Sequence, residues 1–325
     1  MNRRARISGL CHIGYMLSVA TSSARMSTRA LLGYGACALA GCLWGTGFFF
    51  GKIALAEMSV GHMVLYRFLF ACPPLFFVLR KPGFTRRDWT LLLIASFLGI
   101  PVQYLMQFQG LSMTTVSHAA LMVGTMPVIL AVGASIFAHE RLDWMGWFAL
   151  AGSTAGVSMI VLGGGHRNAS GHGPTLAGDL LIVVSLLIAL SWVLLNKHLM
   201  LGHSPLVVTA YGLLTGTAMI VVWVVLKDGL PPVHGVSVKA WLALAASGLL
   251  CNAAAMMLWN TGIHRVPASR AGVFLNIEPA LGSILGVKLL GEHLGPLAWI
   301  GGGLILAAAI TLTAGGRGVE EVVVE

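Results

Sequence analysis

The stretch NIEPALGSILGVKLLGEHL, Asn276 to Leu294, sets an acid beside a proline in an otherwise apolar run. An earlier stretch, MPVILAVGASIFAHERL from Met126 to Leu142, has the same plan with methionine in place of the acid. An offset of 152 superposes the two without a gap: Pro127 falls on Pro279, Glu140 on Glu292 and Leu142 on Leu294. The same offset carries Trp89 onto Trp241, Gly110 onto Gly262, Ser117 onto Ser269 and Trp147 onto Trp299. Abundant Leu and Ala produce chance matches in an apolar chain. Paired Trp, Pro and Glu at one constant offset do not arise that way, so the chain is written twice.

Composition states the environment. Of 325 residues, 57% are hydrophobic and only 10% are charged, against about 25% charged in soluble domains. Ten apolar segments follow one another, and most can cross ~30 Å of hydrocarbon. Their cores are Leu31–Ala56, Val60–Leu79, Trp89–Leu111, Ala119–Ala138, Trp144–Leu162, Leu180–Leu195, Leu206–Leu226, Trp241–Trp259, Ala271–Leu290 and Leu297–Leu312. The expected fold is an all-α integral membrane protein with ten transmembrane helices arranged as two inverted five-helix repeats. The expected divisions are a basic tail over 1–30, repeats over 31–163 and 176–314, a Gly- and His-rich linker over 164–175, and a C-terminal tail over 315–325. The tail reads as a dispensable or targeting segment, with Met26 an alternative start.

Five spans per copy force the copies to insert in opposite directions, and charge selects the orientation. With the N-terminus in the cytoplasm, the inner segments hold 14 basic residues, among them Arg80, Lys81, Arg86, Arg87, Arg141, Arg265 and Arg270. The outer loops hold 3: Arg167, Lys227 and Lys239. The positive-inside rule therefore places both termini in the cytoplasm, in a multi-pass cell (inner) membrane protein. The net charge of +9 reports this orientation. No basic cluster interleaved with aromatics suggests nucleic acid. None of the five cysteines forms a CxxC pair, so neither a metal site nor a disulfide framework is expected, and no cofactor motif is present.

LWGTGFFFGKIALAEMSVGHMVLYRFLFA, with Trp44, Gly45, Lys52, Arg67 and Phe68, resembles the opening of an EamA-type domain. PALGSILGVKLLGEHLGPLAWIGGGLILAA, with Pro279, Gly291 and Glu292, resembles its closing half. The first copy has His139 where that family often has Gly, and the second lacks a counterpart of Arg67, with Tyr211 near that place. The resemblance spans nearly all of Leu31 to Thr313. It implies the ten-helix branch of the drug/metabolite transporter superfamily, and says little about the substrate.

Glu278 is the leading candidate residue. It lies about eight residues, hence roughly 12 Å, beyond the cytoplasmic start of span nine. A carboxylate at that depth is costly and marks a functional position unless it is a neutral, hydrogen-bonded structural acid. Pro279 frees a backbone carbonyl beside it, and Asn276 adds an amide. With Glu278 as coupling residue, protons are the candidate driving ion. Gln103 and Gln107 on span three, Asn252, Trp259 and Asn260 on span eight, and Trp44 and Trp192 on spans one and six complete a candidate solute site. Each of them alone serves packing equally well. Lys52 and Arg67, Pro127 and Pro279, and Glu140 and Glu292 read as structural or gating residues, each Glu capping the helix that follows it. Lys288 and Glu292, at i and i+4 near the outer end of span nine, are expected to pair or to snorkel there. Gly41, Gly45, Gly47 and Gly51 permit close helix approach, within a monomer or between the subunits of a homodimer.

Inverted repeats with a polar midplane suit a secondary carrier of a small metabolite, amino-acid-like, drug-like or otherwise amphipathic, working as an exporter within a lipid bilayer. An intramembrane enzyme needs paired catalytic groups at one depth, whereas the chain offers one acid there and no HExxH or Gly-x-Ser-x-Gly motif. A channel or scaffold without coupled transport is the other alternative.

Overall fold

The computed structural model describes residues 28–77, 79–137, 144–162, 174–265 and 272–315. Glu140, residues 1–27 and most of the linker lie outside them. Every regular element among the described residues is helical.

The α-helices are α1 (Thr28–Gly45), α2 (Gly47–Leu55), α3 (Val60–Ala71), α4 (Arg86–Phe97), α5 (Gln103–Ser112), α6 (Val116–Val123) and α7 (Met126–Phe137) in the first half. There follow α8 (Trp144–Leu162), α9 (Leu176–Leu199), α10 (Pro205–Asp228), α11 (Val238–Ala246), α12 (Ala255–Ile263), α13 (Ile277–Leu289) and α14 (Pro296–Gly315). They assemble into ten spans. Span one is α1 with α2, span two α3, span three α4 with α5, span four α6 with α7 and span five α8. Spans six to ten are α9, α10, α11 with α12, α13 and α14. Six stretches are long and apolar enough to cross a membrane alone: Leu31–Leu55, Val60–Phe77, Arg86–Ser112, Leu176–Leu199, Pro205–Asp228 and Val238–Ile263. Spans four, five and ten contribute shorter apolar helices, and span nine contributes the 13-residue α13.

Helix starts carry the expected chemistry. Thr85 and Asp88 form a reciprocal capping box on α4, and the side chains of Ser59, Thr115, Thr175 and Ser237 each accept a backbone N–H three residues on. Such caps satisfy donors that a helix start leaves without partners.

The packing repeats as the sequence does. Span one lies along span eight, and span six along span three. Span four packs on nine, five on ten and two on seven. Exchanging each span for its counterpart five places on maps this set onto itself. The departures from α-helix repeat as well. Span three contains a π segment, Leu98–Val102, and span eight contains one, Ser247–Ala254, with the last residues of each related by the offset of 152. Pro101, which has no N–H to give an α-helical bond, sits in the first. Span four breaks at Gly124–Thr125, just before Pro127, and span nine starts as a 3-10 turn, Gly272–Asn276, just before Pro279. In both, the proline falls in a first turn, where its missing N–H costs no helical bond. Helical regularity is thus interrupted within spans three, four and eight and at the described start of span nine.

The glycine face of span one is used within the chain. A Cβ at Gly45 would lie 2.9 Å from Leu281 and 3.2 Å from the carbonyl oxygen of Glu278, and one at Gly51 would collide with the Phe108 ring. Span one therefore touches span nine backbone to backbone. Of the five tryptophans near span ends, Trp144, Trp147 and Trp299 are exposed as membrane-interface anchors would be. Trp89 and Trp241 instead pack edge-on against Tyr211 and Tyr66.

Candidate functional site

The breaks and close approaches surround one cavity of about 120 Å³ between the two repeats. Spans one to four and spans six, eight and nine all contribute to its wall. Trp44 ends α1 and lies 5.5 Å, ring to ring, from Trp259 of span eight. Trp192 enters from span six and occupies the space left by the absent side chain of Gly99, in the first π segment; a Cβ there would collide with the indole. Three indoles thus provide an apolar, polarisable surface. Gln103 and Gln107, one turn apart on α5, add amides.

Two ionisable side chains face this cavity. Glu278 is the second residue of α13, where the helix dipole favours a negative group. Arg67 reaches in from span two and is 3% exposed. Its Nε donates to Asn252 Oδ1 at 2.9 Å. Its guanidinium carbon lies 4.6 Å from the Phe108 ring centre and 5.3 Å from that of Tyr104, contacts that stabilise a buried cation. Arg67 and Glu278 are within electrostatic range of one another, yet among the described residues they form no ion pair.

Six of the nine solute-site candidates line the cavity: Trp44, Gln103, Gln107, Trp192, Trp259 and Glu278. Three do not. Asn252 is fully buried behind Arg67, Asn260 donates to Thr209 Oγ1 of span seven, and Asn276 is buried at the junction of the 3-10 turn with α13. Arg67, Tyr104, Phe108 and Met256 line the wall without having been assigned to the solute site from sequence. Hydrophobic periodicity gives the face of a helix on which a residue lies, and a helix at the repeat interface has two polar neighbours to choose from.

A second polar cluster closes one end of the bundle, at the turn between spans three and four. Glu292 does not cap the helix after it. Its carboxylate crosses to the other repeat and accepts from Val116 N, Ser117 N and Ser117 Oγ, each at 2.7 Å. Gly291, at φ 65°, provides the left-handed bend that turns the chain there. Lys288 is exposed and makes no ion pair with Glu292 among the described residues, which removes pairing and leaves the exposed alternative. Lys52 Nζ donates to the carbonyls of Leu111 at 2.9 Å and Thr114 at 2.6 Å. Asp179 of span six, which no sequence pattern singled out, accepts from Thr114 Oγ1 at 2.6 Å and lies 3.4 Å from His118 Nδ1. At the same end Ser237 donates two hydrogen bonds to Glu57, which lies between spans one and two, and they hold its carboxyl below the usual carboxylate range.

The EamA-like transporter family matches residues 31–162 and 176–314, which together make up most of the sequence. The chain belongs to that family. An uncharacterized transporter of Archaeoglobus fulgidus is 26% identical to this EamA-like chain, covering 85% of it and 96% of the relative. A probable terminal-alkyne amino-acid exporter of Streptantibioticus cattleyicolor is 23% identical, covering 83% of this chain and 89% of the relative. A chain from a crystal structure superposes with a TM-score of 0.62 at 20% identity, over 90% of this chain and 98% of that one; this likeness concerns the fold. The EamA-like chain is therefore a multi-pass membrane protein of a transporter family, as its repeats and apolar helices imply.

Proposed function

We propose that this EamA-like protein is a secondary carrier that exports a small amphipathic metabolite from the cytoplasm by alternating access of its two inverted repeats. The cavity between the repeats carries the reading. It is walled by both copies, built where their helices are discontinuous, and lined by indoles, amides and one carboxylate. Rocking one repeat against the other would change which end of such a cavity is open. Glu278 is the coupling residue in this reading, and the proton is the coupling ion. Trp44, Gln103, Gln107, Trp192 and Trp259 hold the solute. Export, and an amino-acid-like solute among the amphipathic classes, are supported by the name of the S. cattleyicolor relative.

Counterflow tests the reading. A solute found by comparing metabolites of cells lacking and overproducing the protein is loaded unlabelled into proteoliposomes, and the labelled form is added outside. A carrier accelerates uptake of label above its equilibrium level. A channel gives no overshoot, and an enzyme converts the solute instead of exchanging it.

The orientation, with both termini in the cytoplasm of a cell whose inner membrane holds the protein, rests on the 14-to-3 division of basic residues. Cysteines introduced at Lys81 and His234, both exposed in loops at opposite ends of the bundle, are to be labelled from outside intact cells. Lys81→Cys should be protected and His234→Cys reactive. The reverse pattern overturns the orientation.

A further inference from the structure

We infer that Arg67 is an anion-binding residue of the cavity, and that the transported solute presents a carboxylate to it. The inference rests on the cavity being the solute site, as proposed above, and narrows the solute to a carboxylate-bearing molecule with an apolar part.

The geometry around Arg67 is that of a guanidinium held for a ligand. A buried cation is costly unless partners satisfy its donors. Here the side chain is fixed on three sides: Nε is bonded to Asn252 Oδ1, and Phe108 and Tyr104 lie close to the guanidinium. Nη1 is buried and has no hydrogen-bond partner among the described residues. The bond from Nε turns the Asn252 oxygen toward Arg67, and among the described residues Asn252 Nδ2 is likewise buried without a partner. Arg67, which lines the cavity, thus holds an unmet donor that calls for an acceptor, while Asn252 behind it serves as its anchor. No carboxylate of the described residues pairs with Arg67, although Glu278 faces the same cavity. A guanidinium presents its donors as a planar fork that matches a carboxylate with two parallel hydrogen bonds. The indoles of Trp44, Trp192 and Trp259 are the apolar surface for the rest of such a solute.

The charges also assign each half of the solute. An ionised Glu278 repels a carboxylate and attracts an ammonium group, whereas Arg67 does the reverse. A simple acid is therefore expected to enter beside a protonated Glu278. A zwitterion can satisfy both groups at once.

The test uses matched probes: 3-phenylpropionate, its uncharged amide, and 2-phenylethylamine. Binding to the purified full-length carrier is read from the concentration dependence of its thermal stabilisation. The carboxylate should bind about 10- to 100-fold more tightly than the amide, the range that charge-assisted hydrogen bonds supply. Arg67→Lys keeps the charge and loses the fork, and should weaken the carboxylate by about tenfold while leaving 2-phenylethylamine unchanged. Asn252→Ala leaves Arg67 in place without its anchor and should weaken the carboxylate in the same direction. It stands in if Arg67→Lys fails to fold. Equal binding of carboxylate and amide, binding of the amine alone, or binding of none of the three overturns the inference. Counterflow of the bound carboxylate separates this outcome from the carrier reading: tight, Arg67-dependent binding without exchange leaves the anion site standing and removes the carrier.

Discussion

Glu278→Gln should retain solute exchange and lose accumulation driven by a pH gradient. The side chain sits at the start of α13, in the cavity walled by both repeats. Opposing influences act on it there. The helix N-terminus and Arg67 favour the carboxylate, while the apolar wall of indoles favours the neutral acid. In the coupling role proposed above, Glu278 takes up a proton on one side of the membrane and releases it on the other. Glutamine has the shape of the protonated acid but releases no proton. In proteoliposomes the variant should carry labelled solute against unlabelled solute as the parent does, whereas net accumulation under an imposed pH gradient should fall to that of protein-free vesicles. A solute whose ammonium pairs with Glu278 gives a different result, because exchange and binding then fall together with accumulation. Wild-type accumulation with unchanged pH dependence assigns Glu278 to structure.

Much of this architecture was legible because it was written twice. Trp89 with Trp241 and Pro127 with Pro279 recur at one offset, and rare residues in register outweigh a biased background. The place of Glu278 was legible for a related reason: in an apolar run a carboxylate must have a partner or a task, and Met126 in the other copy shows that the fold alone does not demand it. The second π segment left no such mark. Pro101 signals the first, but its counterpart at 253 is alanine. Arg67 reads from sequence as a structural or gating group. Seven residues beyond Val60 it lies about 10 Å into span two, and its long side chain reaches the cavity. The partners of Asn252, Asn260, Asp179 and Glu292 were out of reach for one physical reason. Each bonds a residue far away in sequence, so local periodicity carries no record of it.

Glu292→Ala should destabilise the folded protein by about 3–5 kcal/mol, the range for removing one partner from a buried charged network. The carboxylate is 7% exposed and accepts three hydrogen bonds of 2.7 Å from the start of α6. Hydrogen bonds to a charged group contribute about 1.5–3 kcal/mol each, though not additively. Alanine would leave the N–H groups of Val116 and Ser117 unmet at a buried helix start, where the dipole also favours a negative charge. The effect should spread, because this contact joins the last helices of the second repeat to the fourth span of the first. Lys52 holds the adjoining turn through Leu111 and Thr114, within electrostatic range of the same carboxylate. Glu292→Gln keeps one acceptor but turns an N–H toward backbone donors, and its loss should be intermediate. Lys288→Ala, an exposed neighbour one turn away, is the control and should stay within about 0.5 kcal/mol of the parent. The measurement is the unfolding midpoint of each purified variant in the same detergent. If Glu292→Ala unfolds with the control, the contact between α6 and Glu292 contributes nothing to stability, and the joining of the two repeats must be sought in their apolar packing.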